Sequence, residues 1–181
     1  TGITFLETQD KHKKSINNTR RTIYLGLFIG ITIILTRYLN IHITFLTFNG
    51  FPIILSGIIF GPLSGAIVGA MSDILGYMLN SFGKPYHPGF TLTAALTGFI
   101  PALFLISFQK KNKIPPFWYL TLAILTGQFI TKIILIPYFY SHLMGEGIIF
   151  IKILEEFFSQ LIHIPLYAFL INKILRVYYL S

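Results

Sequence analysis

The sequence contains no cysteine and very little charge. Of its 181 residues only 11% are charged, against roughly 25% in an ordinary soluble domain. Without cysteine the chain has no disulfides, thiolate metal sites or thiol nucleophiles. Since 54% of the residues are hydrophobic and mean hydropathy is +0.70, too few polar residues remain to cover a soluble surface. A cytosolic enzyme, a disordered chain and a disulfide-built module are excluded, which leaves a polytopic helical membrane protein.

Motifs for catalysis and nucleotide hydrolysis are also missing. The sequence has no GxxxxGK[ST] phosphate loop, no HExxH and no GxSxG. Its five histidines are scattered, and Asp73 is the one acidic residue within the first five apolar stretches. We therefore expect no enzyme activity, no metal site, no cofactor and no ATP hydrolysis by the chain itself.

Apolar stretches predict an all-α membrane protein with six transmembrane helices, because about 20 apolar residues cross a bilayer. The predicted helices are 22–39, 45–60, 63–80, 90–108, 117–140 and 148–179. We expect residues 1–19 to form a polar cytoplasmic tail and residues 20–181 to form one membrane domain.

The positions of the basic residues predict the orientation. Ten of the 14 lie in residues 1–21, the 109–116 loop and the end of the last helix. Lys84 and Lys152 lie toward the opposite side. Positive residues mark the cytoplasmic side, so both termini are predicted to be cytoplasmic, in the plasma membrane. Nucleic-acid binding is disfavoured, because these charges sit at helix ends and form no basic face.

Ionisable residues inside membrane helices are costly and commonly functional. Lys152, Glu156 and His163 share one face of the last helix, and Lys152 and Glu156 are spaced to pair. Gln160 flanks that face, and His163 alone is best interpreted as a core histidine. In the third helix Gly65, Gly69, Asp73 and Tyr77 recur every four residues, which favours close helix packing.

Several of these polar side chains lie toward the outer half of the membrane. They predict an outward-facing pocket for a small polar or anionic molecule, with Tyr77 and Tyr138 at a depth suited to a ligand ring. The alternative is that Asp73 pairs with Arg37 or Lys132 only to neutralise charge. The candidate residues are Arg37, Asp73, Tyr77, Lys132, Tyr138, Lys152, Glu156 and Gln160.

Three motifs occur together in the chain. Residues 60–76 read FGPLSGAIVGAMSDILG, residues 88–98 read PGFTLTAALTG, and Gly26 and Gly30 lie four residues apart in the first helix. Over residues 22–175 the chain resembles the folate-type S components of energy-coupling factor (ECF) vitamin transporters. The resemblance implies six helices and a vitamin-binding pocket near the external face.

The resemblance also implies partners and residue roles. S components dock on one membrane coupling subunit and two ATP-binding subunits, and the positions that match the docking face are Gly26 and Gly30. Internal helix packing is the alternative reading of these glycines. For a folate, Asp73 or Glu156 would face the pterin. Arg37, Lys132 and Lys152 would meet the glutamate tail, with hydroxyls from Thr91 and Thr93.

The chain departs from the folate-type pattern in two places. Residues 132–140 read KIILIPYFY and lack the tryptophan typical of the family, and residues 151–156 read IKILEE where an arginine pattern is common. A pyridoxine-type or pyrimidine ligand therefore stays open. So does a membrane assembly subunit that binds no ligand.

Overall fold

The computed structural model describes residues 2–38, 48, 50–81, 83, 85–106, 108, 111, 114–144 and 149–180. It confirms the all-α prediction, since the described residues form helices and their connections. The elements are α1 (Gly2–Arg37), α2 (Gly50–Phe60), α3 (Pro62–Leu79), α4 (Pro88–Phe104), α5 (Phe117–Gln128), a π-helical segment (Phe129–Leu135), α6 (Ile136–Met144) and α7 (Ile149–Leu180).

Four helical stretches of the described chain are long and apolar enough to cross a membrane. They are Thr19–Arg37, Pro62–Leu79, Phe117–Leu143 and Ile149–Val177. The α2 and α4 helices are apolar but have 11 and 17 residues. At 1.5 Å per residue they reach about 17 and 26 Å, short of a hydrocarbon core of about 30 Å. Within the described residues, four of the six predicted segments contain a helix long enough to cross a membrane, and the other two contain shorter helices.

Helix boundaries differ from the predicted ones. α1 begins at Gly2 and not at residue 22, because apolarity marks the membrane portion of a helix and not its start. α4 begins at Pro88, where proline suits the first helical turn and the His87 side chain accepts a hydrogen bond from Gly89 N–H, and it ends at Phe104. The predicted boundaries Leu39 and Phe45 lie outside the described residues, as do Lys84, Lys110 and Lys113.

Glycines bring α2, α3 and α4 into close contact. An added Cβ at Gly65 of α3 would lie 2.7 Å from both the Gly57 Cα and the Gly98 carbonyl oxygen. One at Gly69 would collide with the Ala94 carbonyl. The glycine spacing in α3 therefore serves close helix approach, as the sequence predicted. Gly61, with φ of 99°, allows the tight turn from α2 to α3.

The apolar core lies between α2, α5 and α7. Its fully buried side chains include Ile54 of α2, Leu120 and Ile124 of α5, and Ile171 and Leu175 of α7. At one end, Arg21 donates to the Phe60 carbonyl and to the Ser64 hydroxyl, which ties α1 to the α2–α3 turn. This packing fixes the helices whose opposite ends carry the candidate site.

Candidate functional site

A polar network joins the last turn of α1 to α3 and α4. Arg37 Nη2 lies 3.8 Å from Asp73 Oδ1, and Thr91 Oγ1 donates to Asp73 Oδ2 at 2.6 Å. Since the Thr91 hydrogen points to the carboxylate, the Tyr86 hydroxyl at 2.8 Å donates to Thr91. Three predicted site residues, from three helices, therefore meet around one carboxylate.

Gly76 and two tyrosines complete this Arg37–Asp73 network. An added Cβ at Gly76 would lie 2.9 Å from Arg37 Nε. The absence of a side chain at Gly76 therefore leaves room for the Arg37 guanidinium. The Tyr77 and Tyr86 rings meet edge to face with centroids 5.2 Å apart. Tyr77 was a predicted site residue. Tyr86 was not, because it lies in a polar link where an isolated tyrosine gives no sequence signal.

Lys152 forms a second group near the start of α7. Its ammonium pairs with Glu155 and lies 5.2 Å from the centre of the Tyr140 ring. The predicted pairing of Lys152 with Glu156 is therefore wrong. A lysine side chain reaches the i+3 position as readily as the i+4 position, and here it turns to the more exposed acid.

Aromatic side chains connect these two groups. Phe90 precedes Thr91 in the first turn of α4, and its ring centroid lies 5.2 Å from that of Tyr140 on α6. The Phe139 ring fills the space above Gly89, where an added Cβ would lie 2.6 Å away. Through Phe90 and Thr91, α4 has the Arg37–Asp73 network on one side and the Lys152 group on the other. Both groups thus lie at the same end of the bundle.

The predicted residue Lys132 lies in the π-helical segment, which interrupts an otherwise continuous helix. The Ile136 N–H donates to the Thr131 carbonyl five residues back, and Pro137, which follows, has no N–H. Such wide turns are frequent at functional sites. The segment contacts α7, and the charges of Lys132 and Glu156 both act on the His163 ring.

Deeper in the bundle lies a group of buried and half-buried polar side chains that we name the α5–α7 cluster. His163 is almost fully buried, meets the Ser159 hydroxyl at 3.0 Å and lies beside Tyr167, as expected of a core histidine. The Tyr167 hydroxyl is hydrogen-bonded to the main chain of Gly50, the first residue of α2. The members of the α5–α7 cluster are Gln128, Lys132, Glu156, Gln160, His163 and Tyr167.

Three predicted residues lie apart from these groups. Tyr138 is 54% exposed, and its ring is tilted against that of His142 with centroids 4.7 Å apart. Gly26 and Gly30 of α1 face open space: an added Cβ at either would meet no described atom within 4 Å. The described part of the chain thus provides no internal packing partner for these two glycines.

Comparisons with known proteins agree on one kind of protein. A family model described as ECF-type riboflavin transporter, S component, matches residues 16–175. A curated relative, the folate transporter FolT of Clostridium novyi (strain NT), is 42% identical over 91 residues, which are 49% of this chain and 51% of that protein. The chain thus matches about half the length of that relative.

A solved structure extends the likeness to nearly the whole fold. A crystal structure of FolT bound with folic acid superposes with a TM-score of 0.73 at 28% identity. The match covers 89% of this chain and 97% of that one.

Proposed function

The chain belongs to the family of ECF-type transporter S components, and from that membership we propose that it binds folate and delivers it into the cell. Two relatives of this family are folate transporters, one of them solved with folic acid. The observation that carries the proposal is the Arg37–Asp73 network, which lies at the same end of the bundle as the Lys152 ammonium. Together these groups offer cations to an anionic ligand.

The geometry suits the glutamate tail and the pterin ring of a folate to two different regions of the bundle. A folate carries a glutamate tail, whose carboxylates suit Arg37 and Lys152. Asp73 already accepts from Thr91 and lies beside Arg37, so it orients the guanidinium and does not face the pterin. We assign the pterin ring to the α5–α7 cluster, where Glu156, Gln160 and Lys132 supply polar groups among apolar side chains.

Orientation follows from the distribution of basic residues. Arg20, Arg21, Lys173 and Arg176 lie at the end of the bundle opposite Arg37 and Asp73, which supports cytoplasmic termini and an outward-facing pocket. In this orientation residues 1–19 are a cytoplasmic segment, and residues 20–181 form a six-helix domain of the plasma membrane. The shorter helices α2 and α4 cross the membrane in the interior of this bundle.

Delivery requires partners that hydrolyse ATP. The open face at Gly26 and Gly30 is a suitable surface for them to dock on. Small residues let a foreign helix approach closely. We propose that a membrane coupling subunit packs there and that two ATP-binding subunits drive transport. The chain itself acts as the binding subunit and not as an enzyme.

The test is native mass spectrometry of the purified chain, followed by a melting panel with folic acid, riboflavin, pyridoxine and thiamine. A co-purified folate, or a melting shift with folic acid alone, supports the proposal. A shift with riboflavin alone would follow the description of the matching family instead. A response to pyridoxine or thiamine would make residues 132–140 and 151–156 the specificity change, and no response to any vitamin would favour an assembly subunit.

A further inference from the structure

Two glutamine side chains inside the bundle have carbonyl oxygens without a hydrogen-bond donor. Gln128 at the end of α5 is 1% exposed and Gln160 of α7 is 5% exposed. Neither Oε1 accepts a hydrogen bond from any group in the described ranges. A buried amide oxygen without a hydrogen-bond donor costs about 1–3 kcal/mol of stability. Such oxygens are therefore rare unless a water or a ligand supplies the donor.

Gln128 lies where four elements meet. Its Nε2 lies 3.1 Å from where a Cβ on Gly50 would stand, and Tyr167 and Thr97 side chains lie within 3.8 Å of the same point. The start of α2, the middle of α4 and the middle of α7 therefore converge on the end of α5. The π-helical segment begins at the next residue, Phe129.

Three nearby donors already have acceptors. The Gly50 N–H donates to the Tyr167 hydroxyl oxygen, and the Phe51 N–H donates to the Phe48 carbonyl at 3.2 Å. The Thr97 hydroxyl donates within α4, to the Thr93 carbonyl at 2.9 Å. These three donors are therefore not available to Gln128 Oε1, which stays an unmet acceptor.

An unmet acceptor suits a ligand that carries N–H donors. We propose that Gln128 Oε1 accepts a hydrogen bond from the ring of the bound vitamin, and that Gln160 Oε1 accepts a second donor nearer Lys152. This inference rests on the proposed function, because a pterin ring presents an amino group and a lactam N–H side by side. It gives the ring site in the α5–α7 cluster two neutral amide acceptors, while Arg37 and Lys152 hold the tail.

The acceptor role makes an unusual joint prediction for Gln128→Met. Methionine has a similar length but no acceptor, so the ligand-free protein keeps or gains melting temperature while folic acid affinity falls about tenfold or more. Gln160→Met behaves in the same direction. Thr131→Val is the matched control, because Thr131 is equally buried but its hydroxyl is satisfied by the Gly127 carbonyl at 2.8 Å. This control keeps its affinity.

Pteroic acid separates the ring from the tail, because it lacks the glutamate. Gln128→Met should weaken folic acid and pteroic acid by the same factor, measured by titration in detergent. A loss confined to folic acid would assign Gln128 to the tail and overturn the inference. So would unchanged folic acid affinity, or a fall in affinity together with a lower melting temperature of the ligand-free protein.

The wild-type titration keeps the two proposals apart. If wild type takes no folic acid, the proposed function fails. The acceptor inference is then decided by the ligand-free melting curves alone. A maintained or higher melting temperature for Gln128→Met supports an acceptor kept unmet for a ligand, and a clearly lower one overturns it, because the oxygen then has a partner within the protein.

Discussion

Arg37, in the last turn of α1, lies 3.8 Å from Asp73 in the middle of α3, and both side chains are mostly buried. Two apolar residues of similar volume would serve helix packing as well, because the desolvation of a buried ion pair offsets much of its attraction. The pair also has Gly76 to make room for it and Thr91 to hold the carboxylate. This degree of support fits a guanidinium that is positioned for a ligand.

We expect the two single variants of this pair to differ from the double variant. Asp73→Ala leaves a mostly buried cation beside α3 and should lower the free energy of unfolding by about 2 kcal/mol, somewhat less than for a fully buried pair. The double variant Arg37→Met with Asp73→Leu should recover most of that stability, since it removes both charges. Its folic acid affinity should nevertheless fall at least tenfold, measured by titration alongside thermal melting.

A double variant that binds folic acid as tightly as wild type would assign the pair to charge neutralisation alone. Thr91→Val provides a milder control for the network. It removes one donor to Asp73, so it should weaken folic acid binding by only severalfold.

Gly26 and Gly30 offer a test of docking that leaves the ligand site untouched. Because an added Cβ meets no described atom within 4 Å, replacing both with leucine should preserve melting temperature and folic acid affinity. Copurification with the coupling subunit should be lost, since bulky side chains block close helix approach. Gly65→Leu is the contrast, because its new side chain strikes Gly57 and Gly98 and should unfold the protein. If the Gly26 and Gly30 variant still copurifies, the docking face lies elsewhere.

The Lys152 group allows a test by charge. Lys152→Gln should weaken folic acid binding severalfold and make the affinity less dependent on salt, because a half-buried cation near solvent acts on the glutamate tail through a screened field. Glu155→Gln should instead strengthen folic acid binding and increase its salt dependence, since it releases the Lys152 ammonium from its carboxylate partner. Titrations at 50 and 300 mM salt measure both variants. Identical salt dependence in wild type and Lys152→Gln would remove Lys152 from the site.

The π-helical segment is open to a proline test. Pro137→Ala restores an N–H and lets regular α-helical bonding extend, which turns Lys132 away from its present direction. Folic acid affinity should fall about tenfold while stability stays equal or rises. Pro165→Ala in α7 is the matched control, because it makes the same change outside the segment. Equal affinities for both variants would show that the wide turn has no part in binding.

The sequence predicted the helices better than the contacts between them. Long apolar runs and the glycine spacing of α3 depend on local chemistry, and the structure confirms them. The sequence indicated Asp73 and Thr91 as separate site residues but did not predict that they contact each other. A single sequence does not show that α3 and α4 bring those side chains within 2.6 Å.

Other features left no local signal. The π-helical segment has the same composition as an α-helix, so only the nearby Pro137 hinted at a change of winding. Gln128 is one polar residue in an apolar helix, and its unmet oxygen depends on where Gly50 and Tyr167 lie. Lys152 had two acidic candidates within one turn, and rotamer packing decided between them.

The most direct measurement is isothermal titration of the purified chain with folic acid, with riboflavin as the competing ligand. The account predicts saturable binding of one folic acid per chain, no competition by riboflavin, and loss of binding when Arg37 is replaced by alanine. Saturable binding of riboflavin with no heat from folic acid would contradict the account. It would show that this helical bundle, with Arg37 and Lys152 at one end, binds a different vitamin.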